Sequence, residues 1–250
     1  MTHEPEATGE HESRLLSSSV NEGAKLAVLE RAIAVVRDRV AEAARRAGRR
    51  PQEVRLIGAT KGVPEDVVRC ASRAGLEEFG ENYVRDLVSK RAAVADATWH
   101  FVGRLQRNNV HHVVEAADMV QTLEPGPATV RLARLASERL DWRLDCLVEV
   151  DFTGRRVGAP PHEAVAFAAR LAASPGIRIR GLMTVAPPDE EPRRAFSALR
   201  ELRDRLRERL EDAVELSMGM STDLEAAVEE GATMVRVGTA IFGPREVDGR

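Results

Sequence analysis

Val54-Arg-Leu-Ile-Gly-Ala-Thr-Lys61 is a short apolar run that ends on a single lysine, with Gly62 and Pro64 directly behind it. Val54, Leu56, Ile57 and Ala59 make a nearly continuous apolar stretch of strand length, and the glycine and proline mark the turn that stops it. The pattern predicts a buried strand over Val54–Thr60 that delivers one amine to its C-terminal end. In parallel α/β architectures the ligand-binding loops gather at that end. An amine walled in by apolar side chains has its charged form disfavoured, and the neutral amine is what a Schiff base requires. A surface lysine opening a loop is the ordinary alternative, so the rest of the chain decides.

Before this stretch, Met1 to about Val20 is acidic and serine-rich and reads as a disordered tail. From Glu22 to Arg46, Leu26, Leu29, Ile33, Val36 and Val40 recur at spacings of three and four and line one face of an amphipathic helix. After it, Pro64 and Gly75 bracket a second helix, and Leu76–Phe79 resumes as a strand. The alternation then repeats. Strands are expected at Thr98–Val102, Met119–Leu123, Leu144–Val150, Ile177–Met183, Val214–Met218 and Met234–Val237. Helices are expected near Val84–Ala95, Asn108–Ala116, Pro127–Leu140, Pro161–Ala173, Arg193–Glu211 and Thr222–Glu230, the last opening on the reciprocal capping pattern Thr222-Asp-Leu-Glu225. Eight strand–helix units favour a single closed (β/α)8 TIM barrel over residues 21–250, with an open doubly wound sheet as the alternative. No Gly-x-Gly-x-x-Gly follows the first strand, which weakens a dinucleotide-binding version of that alternative.

Composition narrows the partners. The 250 residues suit one barrel, though length alone permits two smaller domains. With 37 basic and 40 acidic residues the charge nearly balances, so no global field draws nucleic acid or anionic lipid, and neither is an expected partner. Cys70 and Cys146 lie far apart inside apolar segments and read as core thiols of a reducing compartment. No apolar run is long enough to span a bilayer and the first twenty positions lack a signal-peptide pattern, so a cytoplasmic protein is expected. His111-His112 resembles a metal pair, but neighbours on a helix diverge and no carboxylate–histidine set accompanies them, so no metal is expected.

A second region carries chemistry. Leu216-Ser-Met-Gly-Met-Ser-Thr222 and Arg236-Val-Gly-Thr239 fall after the seventh and eighth strands, where (β/α)8 barrels commonly hold a phosphate. Ser217, Gly219, Gly238 and Thr239 suit a phosphate, because glycines admit the oxygens, hydroxyls donate, and a helix beginning near Ser221 or Thr239 favours negative charge. A phosphate site beside an amine describes a ligand with a phosphate and an aldehyde, for which pyridoxal 5′-phosphate (PLP) is the evident candidate. Arg236, two residues before the loop, should point into the barrel and face the pyridine nitrogen, where its fixed charge disfavours protonation. A barrel arginine paired with a carboxylate is the plainer alternative.

Together, Ala59-Thr-Lys61, Phe79-Gly-Glu-Asn-Tyr83, Trp99-His-Phe-Val-Gly103 with Leu105-Gln106 and Asn108, Gly181-Leu-Met183, Leu216-Ser-Met-Gly-Met-Ser221 and Val235-Arg-Val-Gly-Thr-Ala-Ile-Phe-Gly243 resemble the YggS/PROSC group, the pyridoxal phosphate homeostasis proteins. The resemblance covers about residues 24 to 245 in order. It implies a barrel like the N-terminal domain of alanine racemase, with Lys61 forming the Schiff base and Ser217, Gly238 and Thr239 holding the phosphate. Arg236 would stand near the ring nitrogen, and Asn82, His100 and Met183 would line the cofactor's walls. For His100 a buried histidine bonded to a neighbour, and for Met183 plain core packing, are the competing readings. Two departures stand out: Asn108-Asn109 where the group usually has Asn-Lys, and Arg155-Arg156 where a lysine is commoner.

The resemblance implies a non-catalytic PLP carrier that buffers the cofactor and hands it to apo PLP-dependent enzymes. The alternative is a racemase-like enzyme of weak activity. Racemisation needs an acid/base on each face of the cofactor. In alanine racemase the second is a tyrosine of a further domain, whereas this chain ends soon after Arg236 and its one tyrosine, Tyr83, follows the second strand. Without that domain a monomer is expected. A (β/α)8 enzyme using Lys61 on a sugar phosphate is a third reading.

Overall fold

The computed structural model describes residues 21–139 and 141–244; the expected tail and Leu140 lie outside them. Eight parallel strands close into a barrel in chain order: β1 (Arg55–Ala59), β2 (Glu78–Glu81), β3 (Thr98–Phe101), β4 (Met119–Leu123), β5 (Leu144–Glu149), β6 (Ile177–Met183), β7 (Glu215–Ser217) and β8 (Met234–Val237). The open-sheet alternative is excluded by the pairing of β8 with β1, which runs from Arg55↔Met234 to Gly58↔Val237.

The helices are α1 (Glu22–Arg46), α2 (Glu65–Arg73), α3 (Val84–Ala93), α4 (Val110–Ala116), α5 (Pro127–Arg139), α6 (Pro161–Leu171), α7 (Pro192–Arg207), α8 (Leu224–Glu229) and the short α9 (Thr239–Phe242). Hydrophobic periodicity finds all eight strands, but two local readings change. The second strand starts at Glu78, because the Leu76 N–H still closes the preceding helix on Ala71 O, and it runs on through Gly80-Glu81, beyond the expected Leu76–Phe79. At Thr222–Glu225 no reciprocal cap forms: Asp223 caps α8 without a side-chain bond to it and accepts instead from Met220 N, 2.5 Å.

Glu225 is engaged elsewhere. Arg39 of α1 grips it with two bonds of 2.6 and 2.9 Å and also donates to Ser221 O, 3.0 Å. Arg49 adds bonds to Val228 O and Ala232 O. The apolar stripe of α1 (Leu29, Ile33, Val36, Val40) is buried, so this helix seals the flank where the last βα unit meets the first and steadies the β7–α8 loop.

The core has two parts. One lies between strands and helices and contains Phe79 stacked on Trp99 and both cysteines, which are buried and unbridged. The other fills the barrel with Ile57, Met119, Leu147, Met183 and Met234. Below it the strand starts are charged and paired: Arg55 bonds Glu215 at 2.9 Å and Arg178 chelates Asp145 at 2.5 and 2.9 Å.

At the upper rim backbones touch. A Cβ on Gly103 would stand 1.9 Å from Asn82 O, and the Gly103 carbonyl accepts from buried Thr122 Oγ1 at 2.6 Å. Gly103→Ala is expected to cost more than about 3 kcal/mol, because backbone rather than a rotatable side chain must yield. Chemical denaturation that found this variant within error of the parent would contradict the close approach.

Candidate functional site at the barrel mouth

Lys61 is presented by a clamp that local sequence does not advertise. Glu81, fully buried at the end of β2, accepts from Thr60 Oγ1 (2.8 Å) and Lys90 Nζ (2.6 Å) on one oxygen, and from Asn82 N (2.7 Å) and Tyr83 N (3.2 Å) on the other. Lys90, 4 % exposed, donates also to Thr60 O at 2.7 Å. The residue before Lys61 is thus held from both its backbone and its side chain, and alternation along β1 turns Lys61 toward the barrel axis. Among the described residues no carboxylate pairs with Lys61; its Nζ instead lies 5.4 Å from the centre of the Tyr83 ring.

One strand over, β8 ends on Arg236-Val237, and Gly238 follows and opens α9. A Cβ there would meet Ala59 O at 3.3 Å, so the glycine allows β8 to finish tight against the end of β1. Gly219, at φ +93°, lets the β7–α8 loop fold back so that its carbonyl receives Arg236 N at 3.0 Å. Ser221 Oγ accepts from Ala240 N at 3.3 Å, which puts a hydroxyl at the first turn of α9, where N–H groups lack helical partners.

Arg236 is 6 % exposed and bonds Ser217 Oγ (2.6 Å) and Thr184 O (2.9 Å). Burial pushes its pKa down to about 10, with Glu149 and Asp223 opposing, so it stays cationic at neutral pH. The alternative of a barrel arginine paired with a carboxylate is not met, since both bonds go to neutral oxygens. Glu149, at the end of β5, is pushed up to about 7 by burial, against the pull of Arg156 and Arg236.

The site residues named from sequence therefore divide. Lys61, Asn82, Gly238 and Thr239 keep accessible surface at the mouth. Met183, at 2 %, packs into the apolar filling of the barrel. His100 and Ser217 have no accessible surface and stand behind the wall: His100 Nε2 meets Glu78 Oε2 at 2.9 Å and its Nδ1 meets Gln121 Nε2 at 3.0 Å, while Ser217 is engaged by Arg236 and Gln121. Strand parity carried that signal, because Ser217 shares the inward face of β7 with Glu215, while Ser221 lies beyond Gly219 in the loop. Gln121, Lys90 and Glu149 carry no signal in the sequence reading, and Glu81 enters it only within a motif, without a role.

The His111 and His112 rings do not splay apart; their centres are 3.9 Å apart. Still, no group of three His, Cys, Asp or Glu arranged for a metal occurs among the described residues. No helix among them is long and apolar enough to cross a membrane. Arg156 belongs to a loop ordered by Asp151, whose Oδ2 accepts its N–H at 2.9 Å.

A closed barrel with an amine at the end of its first strand and a glycine-rich, helix-opening loop after its last defines a class, and the family model described as alanine racemase, N-terminal domain, matches residues 33–246. The pyridoxal phosphate homeostasis protein of Pseudomonas aeruginosa is 39% identical over 217 residues, 86% of this chain and 94% of the relative. A crystal structure of a protein from Bifidobacterium adolescentis superposes with a TM-score of 0.84 at 30% identity, over 91% of this chain and 99% of that one. PipY of Synechococcus elongatus, solved with PLP bound, gives 0.76 at 32% identity, over 86% and 100%. The chain belongs to the pyridoxal phosphate homeostasis protein family, within the alanine racemase N-terminal domain class.

Glu149 supplies a pH test. Its folded pKa is raised above the ordinary 4.5, so the stability linked to it is complete below that value and is lost as pH rises through about 7. Glu149→Gln is expected to melt several degrees above the parent on the alkaline side, up to about 3 kcal/mol, with the gap closing in acid. Melting curves whose difference did not vary with pH would refute the assignment.

Proposed function

We infer that this protein binds PLP at the barrel mouth, on Lys61, and serves intracellular PLP homeostasis by holding and releasing the cofactor rather than by turning over amino acids. The observation that carries the reading is the convergence, on the paired strands β1 and β8, of an amine without a carboxylate partner and a buried guanidinium followed at once by Gly238 and Thr239. The donor set fits the group: a narrow glycine floor beside Ala59, a helix start and the Ser221 and Thr239 hydroxyls suit a phosphate. PLP supplies an aldehyde open to reversible attack by an amine, on a ring that withdraws electrons.

In this assignment Lys61 is the attachment point, Gly238, Thr239 and Ser221 receive the phosphate, and Asn82 and Met183 border the ring. Arg236 would stand near the ring nitrogen. Its fixed positive charge would oppose protonation there and so weaken electron withdrawal. Tyr83 turns its ring toward Lys61, with Nζ 5.4 Å from the ring centre, and in this reading it is not the second proton-transfer group that racemisation needs. Both points favour a carrier over a racemase. The same reading places the protein in the cytoplasm as a monomer that delivers PLP to apo enzymes.

Incubation with PLP should produce a visible absorbance band, and borohydride should then fix the label on Lys61 by peptide mass spectrometry. Lys61→Ala should lose both. A protein that never takes up PLP would end this proposal and promote the sugar-phosphate reading, whereas sustained amino-acid turnover by the loaded protein would replace the carrier with the racemase-like alternative.

A further inference from the structure

A line of hydrogen bonds crosses the barrel interior and ends on Arg236. Arg236 Nη1 donates to Ser217 Oγ at 2.6 Å, Ser217 Oγ to Gln121 Oε1 at 2.6 Å, Gln121 Nε2 meets His100 Nδ1 at 3.0 Å, and His100 Nε2 meets Glu78 Oε2 at 2.9 Å. Arg55 lies 3.5 Å from the same Glu78 oxygen. Ser217, Gln121 and His100 have no exposed surface, so no solvent enters to complete or interrupt the line.

Two fixed charges order every proton in it. A guanidinium only donates, so Ser217 must accept from Arg236 and give its single hydrogen to Gln121. That occupies the amide oxygen, leaving the amide N–H for His100 Nδ1, which must therefore be bare. The ring proton then sits on Nε2 and goes to Glu78. Burial disfavours charge on Glu78, but the His100 N–H and the positive field of Arg55 outweigh it and hold the carboxyl below its usual value, which makes it the anionic terminus. Turning the Gln121 amide over would strand the Ser217 hydrogen in a fully buried place and require a second ring proton.

We propose that Gln121 and His100 are positioning residues for the cofactor site: through Ser217 they fix Arg236, and they act without touching the cofactor. The proposal rests on the PLP reading above, and it revises the wall role expected for His100. Arg236 has two protein bonds, to Ser217 and to Thr184 O, so loosening Ser217 frees half of its hold. Hydrogen bonds to a charged group are worth enough for roughly a tenfold change in affinity.

The test uses the intact protein with PLP as the probe. His100→Leu and Gln121→Met, which break the line, should weaken PLP binding about tenfold and shift the visible band of the bound cofactor. His100→Gln retains an acceptor toward Gln121 and a donor toward Glu78, and should restore both affinity and band. A folded His100→Leu protein that binds and absorbs like the parent would overturn the proposal, as would a His100→Gln protein no better than His100→Leu, since the ring itself would then be what the cofactor needs. Long-range proton–nitrogen spectra of the histidine-labelled parent without PLP supply an arm independent of variant folding. They should show His100 as the Nε2–H tautomer, and an Nδ1–H ring would overturn the proposal. Failure of the PLP reading itself would appear separately, as a parent protein that binds no PLP.

Discussion

Everything at this site depends on the closing seam of the barrel, where β8 lies against β1. The register Ile57↔Arg236 and Gly58↔Val237 brings residues almost 180 positions apart into adjacent backbones. The lysine and the arginine–glycine–threonine run thereby share one rim. The seam is also where closure is most easily lost, since no loop connects these two strands. Three features reinforce it. Gly238 has no side chain to hold β8 away from Ala59, α1 lies across the flank, and Arg39 and Arg49 tie that helix to the β7–α8 loop and to α8. A helix that stands before the first strand in sequence thus serves the last strand in space.

Inside the barrel, polar and charged side chains come at a desolvation cost that apolar packing would not incur. The structure meets that cost by matching. Glu81 has four donors, Lys90 two strong acceptors, and no buried side-chain nitrogen or oxygen along the line from Arg236 to Glu78 is left without a partner. Removing one partner from such an arrangement exposes the whole desolvation penalty of the other, typically 3–5 kcal/mol for a buried pair. The polar interior is therefore rigid, which suits side chains that must present a cation and an amine at a set separation.

What sequence made legible follows the same physics. Strands read clearly because both faces of a parallel strand are buried and give continuous apolar runs, and Lys61 stood out as the one charge closing such a run. Gly219 and Gly238 were visible because loop geometry needs them. The reading failed where a role is set by a partner far along the chain. Nothing near Gln121 says that it bridges Ser217 and His100, and nothing near Lys90 says that it neutralises Glu81. The choice between Ser217 and Ser221 was recoverable in principle: β7 alternates inward at Glu215 and Ser217, so Ser217 belongs to the barrel interior and its hydroxyl to Arg236. The capping pattern at Thr222–Glu225 misled for a related reason, since Arg39 offers Glu225 a full charge, a stronger partner than a backbone N–H.

The balance between holding and turning over a cofactor follows from the same set of charges. Catalysis at a carbon next to an amine needs electrons drawn into the ring and proton-transfer groups on opposite faces. Here the group opposite the ring nitrogen in the proposed pose is a guanidinium held between neutral oxygens, and nothing on its own two bonds neutralises it. Its charge is answered without direct contact, by Glu149, whose carboxyl burial pushes up to about 7, and by Asp223. In the proposed pose Arg236 would meet the ring nitrogen as a nearly uncompensated cation, which would oppose its protonation and leave the ring a modest electron sink. In that pose the charge of Arg236 would favour a bond that forms and reverses over one that activates its neighbour.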